Sequence, residues 1–226
     1  MLRKRVNLMK KILAYAGRLG LMFLALILYG ELEAVYFYPN RLDVAQKPVV
    51  IAIFTVIVLA IMFAIYRWEL KKENNWGFNM EPHWDWKRLG ISLIGTVLIT
   101  ISGAVVLNLV SSGNGLSANQ AALDEISKTS GRMFPILVVF LGPICEETIF
   151  RGMFFNVFFT QNNRINKWLG IIVSGLVFGI AHDPGFSKYI LVYWVLGMIL
   201  AWVYLRTKDL RYSMITHMLY NALGFI

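Results

Sequence analysis

The chain has 226 residues, 58% of them hydrophobic and only 15% charged, with a formal net charge of +9. That balance excludes an ordinary soluble domain, which would be less apolar and more charged. It also argues against nucleic-acid binding: the basic residues fall between apolar runs rather than on one face of a soluble fold, so the positive charge reads as topogenic.

The N-terminus is basic and then apolar, in the manner of a signal peptide. No small-x-small cleavage site follows Leu21–Tyr29, so a retained helix is expected. The hydrophobic pattern predicts seven spans: Ile12–Tyr29, Pro48–Tyr66, Leu89–Val110, Phe134–Thr160, Trp168–His182, Tyr189–Leu205 and Arg211–Ile226. A spanning helix needs roughly 20 apolar residues, and the fifth and seventh fall short of that. Arg18 lies near the basic end of the first span, where a long side chain can snorkel. With the N-terminus inside, basic residues gather on the inner side. They are Arg3, Lys4, Arg5, Lys10, Lys11, Arg67, Lys71, Lys72, Lys87, Arg88, Arg164, Lys167, Arg206, Lys208 and Arg211. Arg41, Lys47, Lys128, Arg132 and Lys188 lie outside, and the bias predicts N-in, C-out.

The inner loop Arg67–Arg88 carries Trp76, Trp84, Trp86 and His83, the composition of an interfacial aromatic belt with a solvated histidine. The outer loop opens with Ser111-Ser112-Gly113-Asn114-Gly115, a turn or linker, and Ala118–Lys128 is expected to form a short surface helix. The composition shifts after this loop. Residues 1–130 read as N-terminal transmembrane helices and loops, and residues 131–226 as the part where intramembrane polar groups concentrate. The fold class is all-α, a polytopic membrane bundle of about seven transmembrane helices.

The fourth span holds Gly142-Pro143-Ile144-Cys145-Glu146-Glu147-Thr148-Ile149-Phe150-Arg151. Ionisable residues inside an apolar run are costly, face the protein interior and are functional candidates. On a helix Glu147 and Arg151 are i and i+4 with the glutamate first, the favourable order for an ion pair. Glu146 is rotated ~100° away and needs another partner, which suits a general base. A buried ion-pair network that only locks helices together is the competing reading. Pro143 predicts a kink, which would make room for water beside Glu146. Cys145, the sole cysteine, reads as a small buried residue, and no intrachain disulfide is possible.

His182 ends the fifth span, and His217 and Asn221 are i and i+4 on one face of the last. Counted at ~1.5 Å per residue from the predicted inner ends, Glu146, His182, His217 and Asn221 fall in one layer, roughly 15–21 Å deep. Glu146 with His182 could deprotonate a water while His217 and Asn221 donate to an oxyanion. Alternatively Glu146, His182 and His217 could bind Zn²⁺ with a position left open. A proton relay in a transporter would use the same groups, although no inverted repeat is visible.

In order, Glu146-Glu147-x-x-x-Arg151, Phe178-x-x-x-His182 and His217-x-x-x-Asn221 resemble the CAAX-protease and bacteriocin-processing family of intramembrane endopeptidases. That family includes type II CAAX prenyl endopeptidases and bacteriocin self-immunity proteins. The resemblance covers about Met133 to Gly224. It implies a helical core with an active-site cavity between the C-terminal helices, so that residues 131–226 would be the catalytic core. It implies Glu146 and His182 as water activators and His217 and Asn221 as oxyanion donors, with Glu147, Arg151 and Phe178 supporting. It leaves open a metal-free glutamate mechanism, needing no cofactor, and a metallopeptidase with Zn²⁺. The implied partners are a peptide or membrane-protein substrate and the lipid bilayer, with no nucleic acid. The implied location is a bacterial cell membrane, and the alternative role is immunity or partner binding without catalysis. Other intramembrane proteases fit poorly. The chain has no His-Glu-x-x-His and no Gly-x-Gly-Asp, and Ser174 before Gly175 reads as a small packing residue.

Overall fold

The computed structural model describes residues 2–111 and 117–225, with side chains from Met9 onward. Long apolar runs in lipid must satisfy every backbone N–H and C=O within themselves, and here they do so as helices. Eight longer helices, one short 3-10 turn at Pro39–Arg41, and no strand occur among the described residues. They are α1 (Leu2–Phe37), α2 (Lys47–Lys72), α3 (Trp86–Val110), α4 (Ala118–Ser130), α5 (Met133–Phe158), α6 (Arg164–His182), α7 (Ile190–Thr207) and α8 (Leu210–Leu223).

Short polar side chains set several starts by accepting orphan N–H groups. Asp85 caps α3 from Lys87 N–H, Ser117 caps α4 from Gln120 N–H, Asn163 caps α6 from Asn166 N–H, and Asp209 caps α8 from Arg211 N–H. The expected surface helix after residue 117 is therefore present, running to Ser130. Of the expected turn before it, Ser112, Gly113, Asn114 and Gly115 lie outside the described residues.

Six helices are long and apolar enough to cross a membrane: α1 from Met9, α2, α3, α5, α6 and α7. The expected seventh, α8, has 14 residues, a length of ~21 Å. Exposed Phe23, Ile27, Ile53, Val56, Leu93, Val97 and Ile101 give α1, α2 and α3 an apolar outer surface. In water such a surface would exceed what a soluble monomer shows; in a bilayer it meets lipid. The chain is an integral, multi-pass membrane protein.

α5 is the most enclosed of the six. It is one helical run that widens to π geometry over Ile136–Leu141 and Thr148–Met153, on either side of an α-helical stretch at Gly142–Glu147. Pro143 explains the first widening: it has no N–H to give and its ring crowds the preceding turn. Where a kink was expected at Pro143, the structure shows a π segment ending just before it.

α6 and α7 pack backbone to backbone. A Cβ on Gly197 would lie 2.7 Å from the Cα of Gly175, so a side chain at either glycine would push the helices apart. α8 is fixed to α3 by polar contacts inside the bundle: Ser92 Oγ to the Tyr212 carbonyl (2.8 Å) and Thr216 Oγ1 to the Ser92 carbonyl (3.1 Å).

Two expectations at one end of the bundle need correction. Trp76 is not part of an interfacial belt. It is 4% exposed, its Nε1 donates to the Phe159 carbonyl at 2.6 Å, and the adjacent Phe78 stacks on Tyr204 at 4.1 Å. Trp84, Trp86 and His83 are exposed, as expected of the rest of that loop. The loop turns inward because Asn79 is held by the α7–α8 turn, donating N–H to the Lys208 carbonyl (2.7 Å) and accepting from Leu210 N–H (3.2 Å). Arg18 does not snorkel outward. Its Nη1 donates to Glu73 Oε2 (2.8 Å) and to the Asn156 carbonyl (3.3 Å), which ties α1 to the end of α2 and to α5.

Candidate functional site

The central stretch of α5 presents two adjacent carboxylates in different directions. Glu147 is fully buried, and its Oε1 lies 3.0 Å from Arg151 Nη1 and 3.0 Å from His217 Nδ1. Arg151 is also fully buried. It donates from Nη2 to the Gly197 carbonyl (3.0 Å) and stacks its guanidinium on the Phe178 ring, 4.6 Å from the centroid. The expected i, i+4 pair is thus present, and it joins α5 to α6, α7 and α8.

Glu146 faces the other way. Its Oε1 accepts a 2.6 Å hydrogen bond from the Tyr29 hydroxyl on α1. Its Oε2 is buried and has no hydrogen-bond partner. That oxygen lies 3.7 Å from His182 Nε2 and 3.8 Å from His217 Nε2. These separations are too long for direct hydrogen bonds and suit one bridging water. Gly142 makes room for the Tyr29 contact: a Cβ there would lie 3.3 Å from the Tyr29 hydroxyl oxygen and 3.1 Å from the Leu137 carbonyl oxygen.

Each histidine is oriented by its other nitrogen. His182 Nδ1 donates to the Phe178 carbonyl at 2.9 Å, one turn back on α6. Its ring is held between Phe178 (4.1 Å) and Tyr193 of α7 (5.1 Å), both stacked. His217 Nδ1 faces Glu147, so it carries the ring hydrogen and donates it in a 3.0 Å hydrogen bond to the carboxylate. With the Nδ1 protons placed this way, both neutral rings turn an Nε2 lone pair toward Glu146. Asn221, one turn beyond His217, donates one amide hydrogen to the Val138 carbonyl (2.8 Å) and keeps the other.

Glu146, Phe178, His182, His217 and Asn221 line one cavity of about 840 Å³. Glu147 and Arg151 are absent from its lining and stand behind it. The structure brings Glu146, His182 and His217 together, and Asn221 lines the same cavity. Cys145 is fully buried, and Ser174 is also buried, with its hydroxyl given to the Phe150 carbonyl at 2.7 Å.

The three donors Glu146, His182 and His217 have the chemistry of a zinc set, and Glu147 and the Phe178 carbonyl would orient the imidazoles. Oε1 of Glu146 is taken by Tyr29, which leaves Oε2 as the oxygen that would join the two Nε2 atoms, 3.7 and 3.8 Å from it. As placed, no three His, Cys, Asp or Glu side chains among the described residues form a closed metal-binding group.

Residues 129–223 match the family described as type II CAAX prenyl endopeptidase Rce1-like. The C-terminal part of this chain resembles the Rce1-like CAAX proteases. The membrane-embedded CAAX protease MroQ of Staphylococcus aureus (strain USA300) is 34% identical over 147 residues, 62% of this chain and 56% of MroQ. The chain therefore spans little more than half of that relative's length. Two proteins of Lactococcus lactis subsp. lactis (strain IL1403) match over more of their length. YxdF is 29% identical over 74% of this chain and 90% of its own, and YajF is 28% identical over 90% and 97%. No solved structure matches the chain. The part that resembles the Rce1-like proteases carries all four cavity-lining polar residues named from the motifs, together with Glu147, Arg151 and Phe178.

Sequence reasoning missed Tyr29 and Tyr193. Tyr29 entered the sequence reading only as the end of the first span. A signal was present: Met22, Ala25, Tyr29, Leu32 and Tyr36 repeat at three and four residues, and all five are buried. Tyr193 lay in an apolar run with no polar neighbour to mark it, and nothing in the sequence singles it out.

Proposed function

We propose that this protein is an intramembrane endopeptidase that hydrolyses a peptide bond of a peptide or membrane-associated protein by a water activated between Glu146 and His182. The observation that carries the reading is the unpartnered Oε2 of Glu146, buried on a cavity wall with two imidazole nitrogens 3.7 and 3.8 Å away. A carboxylate oxygen left without a donor in a protein interior is costly, and a water or substrate group fills that role.

The steps follow from the atoms available. A water gives one hydrogen to Glu146 Oε2 and the other to His182 Nε2, which leaves its lone pair free to meet a carbonyl carbon. Glu146 accepts the proton as the C–O bond forms, and the carbonyl oxygen becomes an oxyanion. Asn221 offers that oxygen its remaining amide hydrogen. Because the Nδ1–H of His217 is hydrogen-bonded to Glu147, His217 can donate to the oxyanion only with a second proton on Nε2, as the imidazolium. When the C–N bond breaks, Glu146 returns its proton to the leaving amine. Phe178 and Tyr193 keep His182 in plane, and Arg151 holds Glu147 in place behind His217. No metal enters these steps.

The basic segments between spans support placing the N-terminus in the cytoplasm of a bacterial cell membrane. An alkaline phosphatase fused after Ile226 should then be active, and an inactive fusion would reverse the topology.

The test of the activity is cleavage of a reconstituted membrane-peptide library by the purified full chain. Glu146→Gln keeps an acceptor for Tyr29 and removes only the base. It should lower the rate by about 10²–10⁴-fold, as loss of a general base does, with unchanged thermal unfolding. Full activity in that variant would remove Glu146 from the role. Activity should not respond to chelators; loss on chelation with recovery on Zn²⁺ would return the metal mechanism. A cellular effect of the chain that survives Glu146→Gln would favour a binding protein instead.

A further inference from the structure

We infer that the cavity selects a peptide carrying a cationic side chain, lysine or arginine, about two residues from the cleaved bond, and that Glu33 on α1 binds that cation. The inference rests on the endopeptidase reading and adds a substrate class and a specificity residue to it.

The first observation is the sign of the lining. The chain carries a net charge of +9, yet the charged residues that line the cavity are Glu33, Asp124 and Glu146, with no lysine or arginine among the lining residues. Glu33 is half-buried, has the Tyr29 side chain as a hydrogen-bonding neighbour, and forms no ion pair among the described residues. Glu146 adds a buried oxygen without a donor in the same cavity. Two carboxylates that share a partly desolvated space repel each other, and a bound cation relieves that repulsion.

The second observation is where Glu33 stands. Tyr29 touches Glu146, while Phe37, two turns further along α1, packs on Phe134 at 6.1 Å and accepts the Ser130 hydroxyl on its carbonyl at 2.7 Å. α1 therefore runs from the Glu146 layer toward the end of α4. Glu33, one turn past Tyr29, lies ~6 Å along that path. Gln120, Asp124 and Ser127 of α4 line the same cavity, and Asp124 is exposed. A peptide entering past α4 meets Asp124, then Glu33, then Glu146. An extended chain advances ~3.3 Å per residue, so the Glu33 carboxylate falls about two residues from a carbonyl held at Glu146.

The experiment uses the purified full chain in lipid nanodiscs and three peptides, identical except for lysine, norleucine or glutamate at the second residue from the cleaved bond on each side. We expect kcat/KM for the lysine peptide to exceed that for the norleucine peptide by at least ~10-fold. Glu33→Gln should bring the ratio close to one, Glu33→Asp should keep the preference, and Glu33→Lys should shift it to the glutamate peptide. A wild-type ratio near one, or a lysine preference that survives Glu33→Gln, overturns the proposal. Binding of the same labelled peptides to the Glu146→Gln protein, with and without Glu33→Gln, tests the site apart from catalysis. Lysine-selective binding that needs Glu33, together with no cleavage of any of the three peptides by the wild-type chain, would sink the endopeptidase reading and leave the cation site standing. Binding indifferent to charge would sink the cation site.

Discussion

Replacing Arg151 by methionine tests whether the buried pair behind the cavity is structural. Arg151 is fully buried and holds three partners: Glu147 at 3.0 Å, the Gly197 carbonyl at 3.0 Å and the Phe178 ring at 4.6 Å. Methionine fills most of the volume but leaves the Glu147 carboxylate charged in a dry interior. Breaking one side of a buried pair costs about 3–5 kcal/mol, and the orphaned Gly197 carbonyl adds about 1–3 kcal/mol. The sum is comparable to the whole stability of many domains. The variant should therefore unfold at a much lower temperature or denaturant concentration, followed by tryptophan fluorescence in detergent. The double variant Glu147→Gln/Arg151→Met removes both charges yet keeps an oxygen for His217 Nδ1–H. It should recover about 2–3 kcal/mol of the loss, since an uncharged buried site no longer carries the desolvation penalty. A single variant destabilised by under ~1 kcal/mol, or a double variant no better than the single, would refute this account of the pair.

Three further outcomes are expected. Tyr29→Phe removes the 2.6 Å hydrogen bond to Glu146 Oε1 and should cost about 1.5–3 kcal/mol of stability, as hydrogen bonds to charged groups do. If Glu146 is the base, kcat should fall with little change in KM; activity kinetics that leave kcat untouched would release Tyr29 from positioning it. Gly197→Ala places a Cβ 2.7 Å from the Gly175 Cα and displaces the carbonyl that Arg151 uses, so a loss of about 1–3 kcal/mol is expected by thermal unfolding. At the exposed cap of α3, the hydrogen bond from the Lys87 N–H holds the Asp85 carboxyl below its usual value of 3.8. A depressed value in the fold means that its contribution is present above pH ~4 and is lost as the pH falls below that. Melting curves of Asp85→Asn, which caps without titrating, should show a smaller decline between pH 5 and pH 3 than wild type (roughly the carboxylate titration range); equal declines would remove Asp85 from the acid response.

Much of the site was legible because the signal is local. A glutamate or arginine in an apolar run is expensive wherever the run ends up, so Glu146, Glu147 and Arg151 stood out without any knowledge of the fold. The i, i+4 relation of Glu147 to Arg151, and of His217 to Asn221, is a property of one helix and survives in the bundle. What misled was also local reasoning. Arg18 sat near a basic end and Trp76 in an aromatic loop, and both turned inward because Glu73 and the Phe159 carbonyl lie across the bundle from them. α1 continues eight residues beyond its predicted end at Tyr29, which hid Tyr29 and Glu33 as residues facing a cavity.

The sequence by itself determined the class of the protein, the apolar helices and the polar residues that lipid would not tolerate, because hydropathy and helical periodicity are carried by neighbouring residues. The tertiary structure decided which partner each polar atom takes. Helix rotation and depth are set by packing among helices far apart in the chain, such as the glycine contact of α6 with α7. That packing gave Glu147 to Arg151 and His217, gave one oxygen of Glu146 to Tyr29, and left the other facing two imidazole nitrogens 3.7 and 3.8 Å away.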